Sequence, residues 1–196
     1  MSKIKSICVF TGSSTGGRME YHDTACALGR LMAERKIRLV FGGGRVGLMG
    51  IIANATLEAG GEVIGVIPRG LQEREVGHDG LTRLEVVETM HERKALMAEL
   101  SDAFVAMPGG LGTFEELFEV LTWSQLGIHK KPCGLLNTAG YYFPLISFLR
   151  RATDEGFVSP EHREMLLVEE DPAALLERFE AYKPPDFEAW LDAKKT

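Results

Sequence analysis

The chain has 196 residues and a formal net charge of −6 at pH 7, enough for one compact domain with a sizeable core. The excess of acidic side chains removes the electrostatic basis for binding a nucleic acid polymer. No apolar run is long enough to cross a membrane, and the first residues lack the pattern of a signal peptide. We therefore predict one domain over residues 1–196, with no membrane partner and a polar tail from about residue 183.

The three cysteines, Cys8, Cys26 and Cys133, are widely separated, and each falls inside an apolar segment. Their odd number and their spacing match neither a disulfide framework nor a metal site. We therefore expect buried, reduced thiols, a cytoplasmic location and no bound metal.

Apolar runs typical of buried strands alternate with segments of helical periodicity along the chain. The predicted strands cover residues 4–10, 38–41, 62–67, 84–87, 103–107, 133–136 and 166–168. The predicted helices cover residues 21–35, about 51–59, 89–100, 114–126, 141–154 and 172–182, and residues 71–80 are expected to form a loop. Because the strands are continuous apolar runs, the pattern predicts an α/β fold: a parallel sheet of about seven strands with helices on both faces.

Three glycine-rich loops follow predicted strands, at residues 11–17, 42–50 and 108–113. In a parallel sheet, ligands bind outside the carboxyl ends of the strands, where such loops meet. The loop from Pro108 to Thr113 leads into a predicted helix, whose first N–H groups and dipole favour an anion, most often phosphate. Their convergence predicts a nucleotide site at this edge of the sheet.

The second loop has the G-x-G-x-x-G spacing of dinucleotide-binding proteins, from Gly42 to Gly47. That fingerprint also needs an acidic residue at the end of the following strand. Here that end carries no acid, and Glu62 lies at the beginning of the strand. A mononucleotide is therefore favoured over NAD, and the alternative is that these glycines only permit close packing.

Two charged side chains allow both a structural and a functional interpretation. Thr113 and Glu116 have the spacing of a capping box, in which the glutamate only accepts a backbone N–H, so capping and function stay equally open. Arg93 falls in the middle of the predicted buried face of helix 89–100, beside Met90. A buried arginine needs an anionic ligand or a carboxylate such as Glu116, and a purely structural pair is the alternative.

The predicted helix 114–126 is apolar on more than one side. One line of side chains is predicted to face the core: Phe114, Leu117, Phe118 and Leu121. Glu116 shares a second line with Val120 and Trp123. An exposed second line needs a partner, either a ligand or another subunit. We predict a homodimer that buries this line close to the ligand; without that interface, Trp123 would be a core residue or the wall of a pocket.

Two long motifs, Met90-His91-Glu92-Arg93-Lys94 and Pro108-Gly109-Gly110-x-Gly112-Thr113-x-x-Glu116, resemble the Lonely Guy family of cytokinin riboside 5′-monophosphate phosphoribohydrolases. The similarity extends from about residue 7 to 167 and includes the segments 42–49 and 123–129, although Thr11 stands where many members have cysteine. The resemblance implies a Rossmann-like fold, a homodimer, and release of the base from a purine nucleoside 5′-monophosphate such as AMP. Members are often labelled lysine decarboxylases, which these motifs do not support.

The resemblance also assigns the site residues, and no cofactor is expected. The family's catalytic arginine and glutamate fall on Arg93 and Glu116. The predicted substrate-binding residues are Ser13, Met90, Lys94, Gly109, Gly110, Gly112, Thr113 and Trp123. Two rival functions remain: a non-catalytic nucleotide or cofactor carrier, and a pyridoxal-phosphate decarboxylase, for which Lys94 is the only nearby Schiff-base candidate.

Overall fold

The computed structural model describes residues 4–72 and 77–185. Within them, seven strands form one parallel sheet in the order β4-β3-β2-β1-β5-β6-β7. The strands are β1 (Ser6–Phe10), β2 (Arg38–Phe41), β3 (Val63–Pro68), β4 (Arg83–Val87), β5 (Ala103–Ala106), β6 (Cys133–Leu136) and β7 (Leu166–Glu169). The predicted α/β, Rossmann-like architecture is thereby confirmed.

Helices α1 to α7 lie between successive strands, as the crossovers of a parallel sheet require, and α8 follows the last strand. They are α1 (Met19–Glu34), α2 (Gly47–Glu58), α3 (Arg69–Gln72), α4 (Met90–Glu99), α5 (Leu111–Gln125), α6 (Phe143–Asp154), α7 (Pro160–Glu164) and α8 (Pro172–Ala181). A single 3₁₀ turn, Thr138–Gly140, precedes α6.

Helices cover both faces of the sheet, and successive residues of a strand point to opposite faces. On one face, Ile7 and Val9 of β1 belong to a core shared with α1, α2 and α8. On the other, Cys8 and Phe10 pack with residues of α4 and α5. Strands buried on both sides must be apolar throughout, which explains why their sequences do not alternate.

The order of the strands places a crevice between β1 and β5. The chain moves outward from β1 to β4 and then returns to add β5 on the other side of β1. The loops after these two neighbouring strands therefore diverge to opposite faces, which opens a ligand site at their carboxyl ends. The Thr11 hydroxyl and the Gly12 N–H both donate to the Pro108 carbonyl, at 3.0 and 3.1 Å, and join the two loops.

Several boundaries differ from the prediction. Helix α5 begins at Leu111 instead of residue 114. The prediction missed this start because its N-cap residue is a glycine, which has no side chain that would identify it as a cap. Helix α3 occupies the start of the predicted loop 71–80, and α7 was not predicted. Residues 73–76 of that loop and residues 186–196 of the predicted tail lie outside the described residues, and the single domain over 1–196 stays a prediction.

The predicted inner face of α5 is wrong in part. Val120 is 3% exposed and packs with Cys8 and Phe104, whereas Phe118 is 37% exposed. The helix lies across β1, β5 and β6, and its fully buried side chains include only one from each predicted line, Leu117 and Val120, together with two polar side chains from neither. The buried side chains are Thr113, Leu117, Val120 and Ser124. Met90, predicted to be buried, is also exposed.

Candidate functional site

A cleft of about 220 Å³ opens where the loops after β1 and β5 diverge. It is lined by the first loop, the start of α2, the first turn of α4 and the N-terminal turns of α5. The lining residues are Thr11, Gly12, Ser13, Met49, Arg93, Gly110, Leu111, Gly112, Thr113 and Glu116. The fold thus gathers most of the predicted site residues, which lie up to about 100 positions apart in sequence, although their roles stay predictions.

The N-terminus of α5 faces this cleft without a capping side chain. Gly110 is the N-cap residue and supplies no side-chain hydrogen bond. The first N–H groups of a helix have no intrahelical partner, so those of Leu111, Gly112 and Thr113 are directed toward the cleft. An uncapped helix start with three such donors is suited to an anion, in particular a phosphate.

Glu116 is not a capping residue. Since α5 begins at Leu111, Glu116 lies in the second helical turn, too far along to reach the N-cap backbone. A true capping box is present at the start of α4, where the Thr89 hydroxyl accepts from the Glu92 N–H at 3.1 Å, and the Glu92 carboxylate accepts from the Thr89 N–H at 3.3 Å. The capping interpretation of Glu116 is therefore wrong, whereas a catalytic role and a purely structural pair with Arg93 both stay open.

Arg93 is held by backbone carbonyls and lies beside Glu116. Its Nε donates to the Val66 carbonyl at 3.1 Å and its Nη2 to the Gly42 carbonyl at 3.2 Å. Its Nη1 lies 3.9 Å from Oε1 of Glu116, and the two side chains are only 11% and 13% exposed. The guanidinium is therefore fixed by the main chain, with one edge left for Glu116 or a ligand.

Gly42, the first glycine of the dinucleotide-like fingerprint, makes room for this arginine. A Cβ atom at position 42 would lie 1.9 Å from Nη2 of Arg93. The loop after β2 thus contributes to the cleft by positioning a cation, which is a different task from cradling a pyrophosphate.

Burial raises the pKa of Glu116 to about 7, against the opposing effect of the Arg93 charge. The neighbouring Glu115 and Glu119 also raise this pKa, and Lys94 lowers it. A carboxyl group that titrates near neutrality can exchange a proton under physiological conditions, as a general acid or base must. Strong perturbation inside a cleft is typical of functional carboxylates.

Two tyrosines support the glycine-rich loop from below, and the sequence analysis missed them. The Tyr141 hydroxyl donates to the Gly109 carbonyl, and the Tyr142 hydroxyl donates to the Met107 carbonyl at 2.6 Å. Gly109 lies directly under Thr113, where a Cβ would come within 2.1 Å of the threonine hydroxyl. The only signal in the sequence was the position of both tyrosines soon after β6, at the same edge of the sheet.

A second compartment of about 280 Å³ adjoins the cleft and shares Gly12, Ser13 and Gly110 with it. Tyr21 and Tyr141, in edge-to-face contact, form part of its wall. Together the two compartments reach the size of small-molecule sites, roughly 300–1,000 Å³.

Four predicted substrate-binding residues do not line the cleft of this chain, and one of them, Gly109, lines the adjoining compartment. Met90 is exposed, with its sulfur 3.8 Å from Nη1 of Arg93. Lys94 is engaged by carboxylates of α5. Trp123 packs partly buried against the core on the α4 and α5 side.

Among residues 4–72 and 77–185, no helix has the length and apolar character to cross a membrane, and no group of three or more His, Cys, Asp or Glu side chains could hold a metal ion. Cys8 and Cys133 are buried free thiols, as expected, whereas Cys26 is partly exposed beside His22.

A fully parallel sheet with its cleft at the switch point, beside an uncapped helix start, defines a Rossmann-like α/β protein. Residues 49–179 match the profile of a family described as "Possible lysine decarboxylase". The chain is 50% identical over 183 residues to a cytokinin riboside 5′-monophosphate phosphoribohydrolase of Arabidopsis thaliana, covering 93% of this chain and 86% of that one. A protein of the same description from Rhodococcoides fascians is 55% identical over 168 residues, 85% of each chain. The chain therefore belongs to the Lonely Guy family of cytokinin riboside 5′-monophosphate phosphoribohydrolases.

Solved structures share the fold at lower identity. A molybdenum cofactor binding protein from Rippkaea orientalis has a TM-score of 0.69 and 22% identity, over 92% of this chain and 98% of that one. The molybdenum cofactor carrier protein of Chlamydomonas reinhardtii has a TM-score of 0.67 and 24% identity, over 91% and 98%. At this identity the likeness concerns the fold alone.

Proposed function

We propose that the protein hydrolyses the N-glycosyl bond of a purine nucleoside 5′-monophosphate, releasing the free base and ribose 5-phosphate. The observation that carries this proposal is the Arg93–Glu116 pair, buried in a cleft beside the uncapped start of α5. Relatives with about 50% identity over most of the chain are named for this reaction on cytokinin riboside 5′-monophosphate.

The 5′-phosphate is placed at the start of α5. The N–H groups of Leu111, Gly112 and Thr113 are the donors there, and Gly109 and Gly110 let the turn approach closely. With the phosphate bound, the ribose is directed toward Arg93 and Glu116, which line the same cleft. Binding energy from the phosphate then serves to position the reacting carbon.

The chemical step replaces the base at C1′ with water. The bond from C1′ to the base nitrogen breaks with its electron pair going to the base, which takes up a proton, while the water oxygen bonds to C1′ and loses one. By analogy with glycoside hydrolysis, the transition state resembles an oxocarbenium ion. Ionised Glu116 stabilises that positive charge, holds the ribose hydroxyls or activates the water. Arg93 stays charged at neutral pH, so it orients the carboxylate and stabilises negative charge on the phosphate or base.

The rival functions have less support. A carrier would use the same phosphate loop without turnover, but it gives no role to a carboxylate that titrates near neutrality. A decarboxylase needs an uncharged lysine to form a Schiff base. Burial alone would lower the pKa of Lys94, but the hydrogen bonds and the negative charges of Glu115 and Glu119 together outweigh burial and raise that pKa.

We also propose that the protein is a cytoplasmic homodimer. The reduced thiols support the compartment. Val120 is buried in its own chain and does not support an interface. The exposed apolar side chains Phe118, Leu126 and Ile128, at α5 and just beyond it, support the homodimer.

The decisive experiment is a panel of nucleosides and nucleotides with release of the free base monitored by chromatography. We expect adenine from AMP, and a kcat/KM for adenosine lower by about 100-fold or more, because adenosine lacks the group that binds the helix start. Prenylated AMP in the same panel tests the preference among bases. Binding of AMP without any base release would support the carrier, and equal kcat/KM for adenosine would refute the phosphate site.

A further inference from the structure

Lys94 makes an ion-pair cluster immediately outside the cleft. Its Nζ lies 2.5 Å from Oε1 of Glu115 and 3.0 Å from Oε1 of Glu119. The lysine side chain is 11% exposed, although Glu115 is 54% exposed. A lysine so covered, with its ammonium group between two carboxylates, is fixed in place.

The two carboxylates that Lys94 holds flank Glu116 on the same helix. Glu115 precedes it, and Glu119 follows one turn later, near it on the helix surface. The charged groups facing Glu116 are thus Arg93 and Lys94 from α4 and Glu115 and Glu119 from α5, with the buried Cys8 thiol of β1 below. Glu116 included, three carboxylates share two cations, so loss of either cation leaves two uncompensated negative charges.

We propose that Lys94 is a positioning residue that acts on Glu116 through Glu115 and Glu119, and thereby sets the pH range in which the enzyme works. Its single positive charge offsets part of the effect of Glu115 and Glu119, whose negative charges oppose ionisation of Glu116. The inference rests on the proposed function for the role of Glu116. It differs from a direct contact between Lys94 and the substrate, since the lysine amine is already occupied and lies outside the cleft lining.

The test is the pH dependence of kcat/KM for AMP in Lys94→Met and Lys94→Arg. The acidic limb is the part of the kcat/KM profile in which activity rises with pH as Glu116 ionises. We expect this limb to move to higher pH by about one unit in Lys94→Met, since a unit charge near a partly buried group has an effect of this order. At a given pH on that limb, the kcat/KM of Lys94→Met is then about ten-fold lower than that of the wild type, and the difference disappears near pH 9. Lys94→Arg, which keeps the charge, retains the wild-type limb.

Two other results would overturn the inference. A uniform loss across the whole pH range, with an unmoved limb, would mean that Lys94 only maintains the structure. A raised KM with an unmoved limb in Lys94→Met would mean that Lys94 contacts the substrate.

Glu119→Gln supplies a second variant that keeps the test decisive if Lys94→Met fails to fold. Removing one of the two opposing charges should move the acidic limb to lower pH, in the opposite direction. In Lys94→Met/Glu119→Gln the limb should return toward its wild-type position. An unmoved limb in Glu119→Gln would contradict the proposal.

A readout independent of activity separates this inference from the proposed function. The carboxyl ¹³C resonance of Glu116, assigned by its absence in Glu116→Gln, is followed through the pH titration. If its midpoint moves with Lys94→Met but no base is released by the wild type, the function is wrong and the electrostatic role stands. If base is released but the midpoint does not move, only the role of Lys94 is wrong.

Discussion

Replacing Glu116 with glutamine should abolish turnover and stabilise the protein above neutral pH. The amide has nearly the same shape but carries no charge. Raising the pKa of this carboxyl from 4.5 to about 7 by burial corresponds to about 3 kcal/mol of disfavoured ionisation, since each pKa unit is about 1.4 kcal/mol. The side chain is 13% exposed, so solvent screens little of this effect.

The sign of the effect follows from linkage between protonation and folding. A carboxyl whose pKa is raised in the folded state contributes stability below about pH 4.5, and that contribution is lost as the pH rises through about 7. Glu116→Gln keeps a neutral group at every pH. Urea denaturation should therefore find the variant more stable by about 3 kcal/mol at pH 8 and by less than about 1 kcal/mol at pH 5.

Base release from AMP should fall by at least about 100-fold in the same variant, which is the usual weight of a positioned acid–base group. Glu177→Gln, an exposed glutamate on α8, is the matched control and should change stability by no more than about 0.5 kcal/mol. A stability difference that does not vary with pH would refute the buried charge. Near-normal turnover would refute the catalytic assignment.

Three further predictions concern the support of the site. Gly42→Ala places a methyl group against Nη2 of Arg93 and should lower kcat/KM by about 100-fold. Gly70→Ala is the control, because nothing lies within 4 Å of the added carbon, and its kcat/KM should not change. Equal activity of the two variants would show that the position of Arg93 is unimportant. Tyr141→Phe removes the hydroxyl that holds the Gly109 carbonyl, so the KM for AMP should rise several-fold while stability falls by about 1 kcal/mol; an unchanged KM would contradict that role. Light scattering at micromolar concentration should give the mass of a homodimer, and a fully active monomer would refute the proposed interface.

The sheet could be predicted from the sequence because each buried strand is a continuous apolar run. The face of α5 could not, since periodicity gives the lines of side chains but not which strands lie beneath the helix. Thr113 and Glu116 have the spacing of a capping box but do not form one. The true N-cap residue, Gly110, could not be identified from the sequence because it has no side chain that caps the helix. The contact between Gly42 and Arg93 joins residues 51 positions apart, and no local pattern carries such information.

The anchoring of Arg93 has a consequence for how activity depends on folding. Its hydrogen bonds go to the ends of β2 and β3, whereas Glu116 comes from the helix that covers β5 and β6. The pair that we propose to be catalytic is thus assembled from the two halves of the sheet, each built from its own stretch of the chain. A fragment ending before β5 would carry the cation without the carboxylate, and the complementary fragment the carboxylate without the cation. Under the proposed mechanism, base release depends on the packing of the two halves against each other, and a partly unfolded chain that keeps its helices but separates them should be inactive.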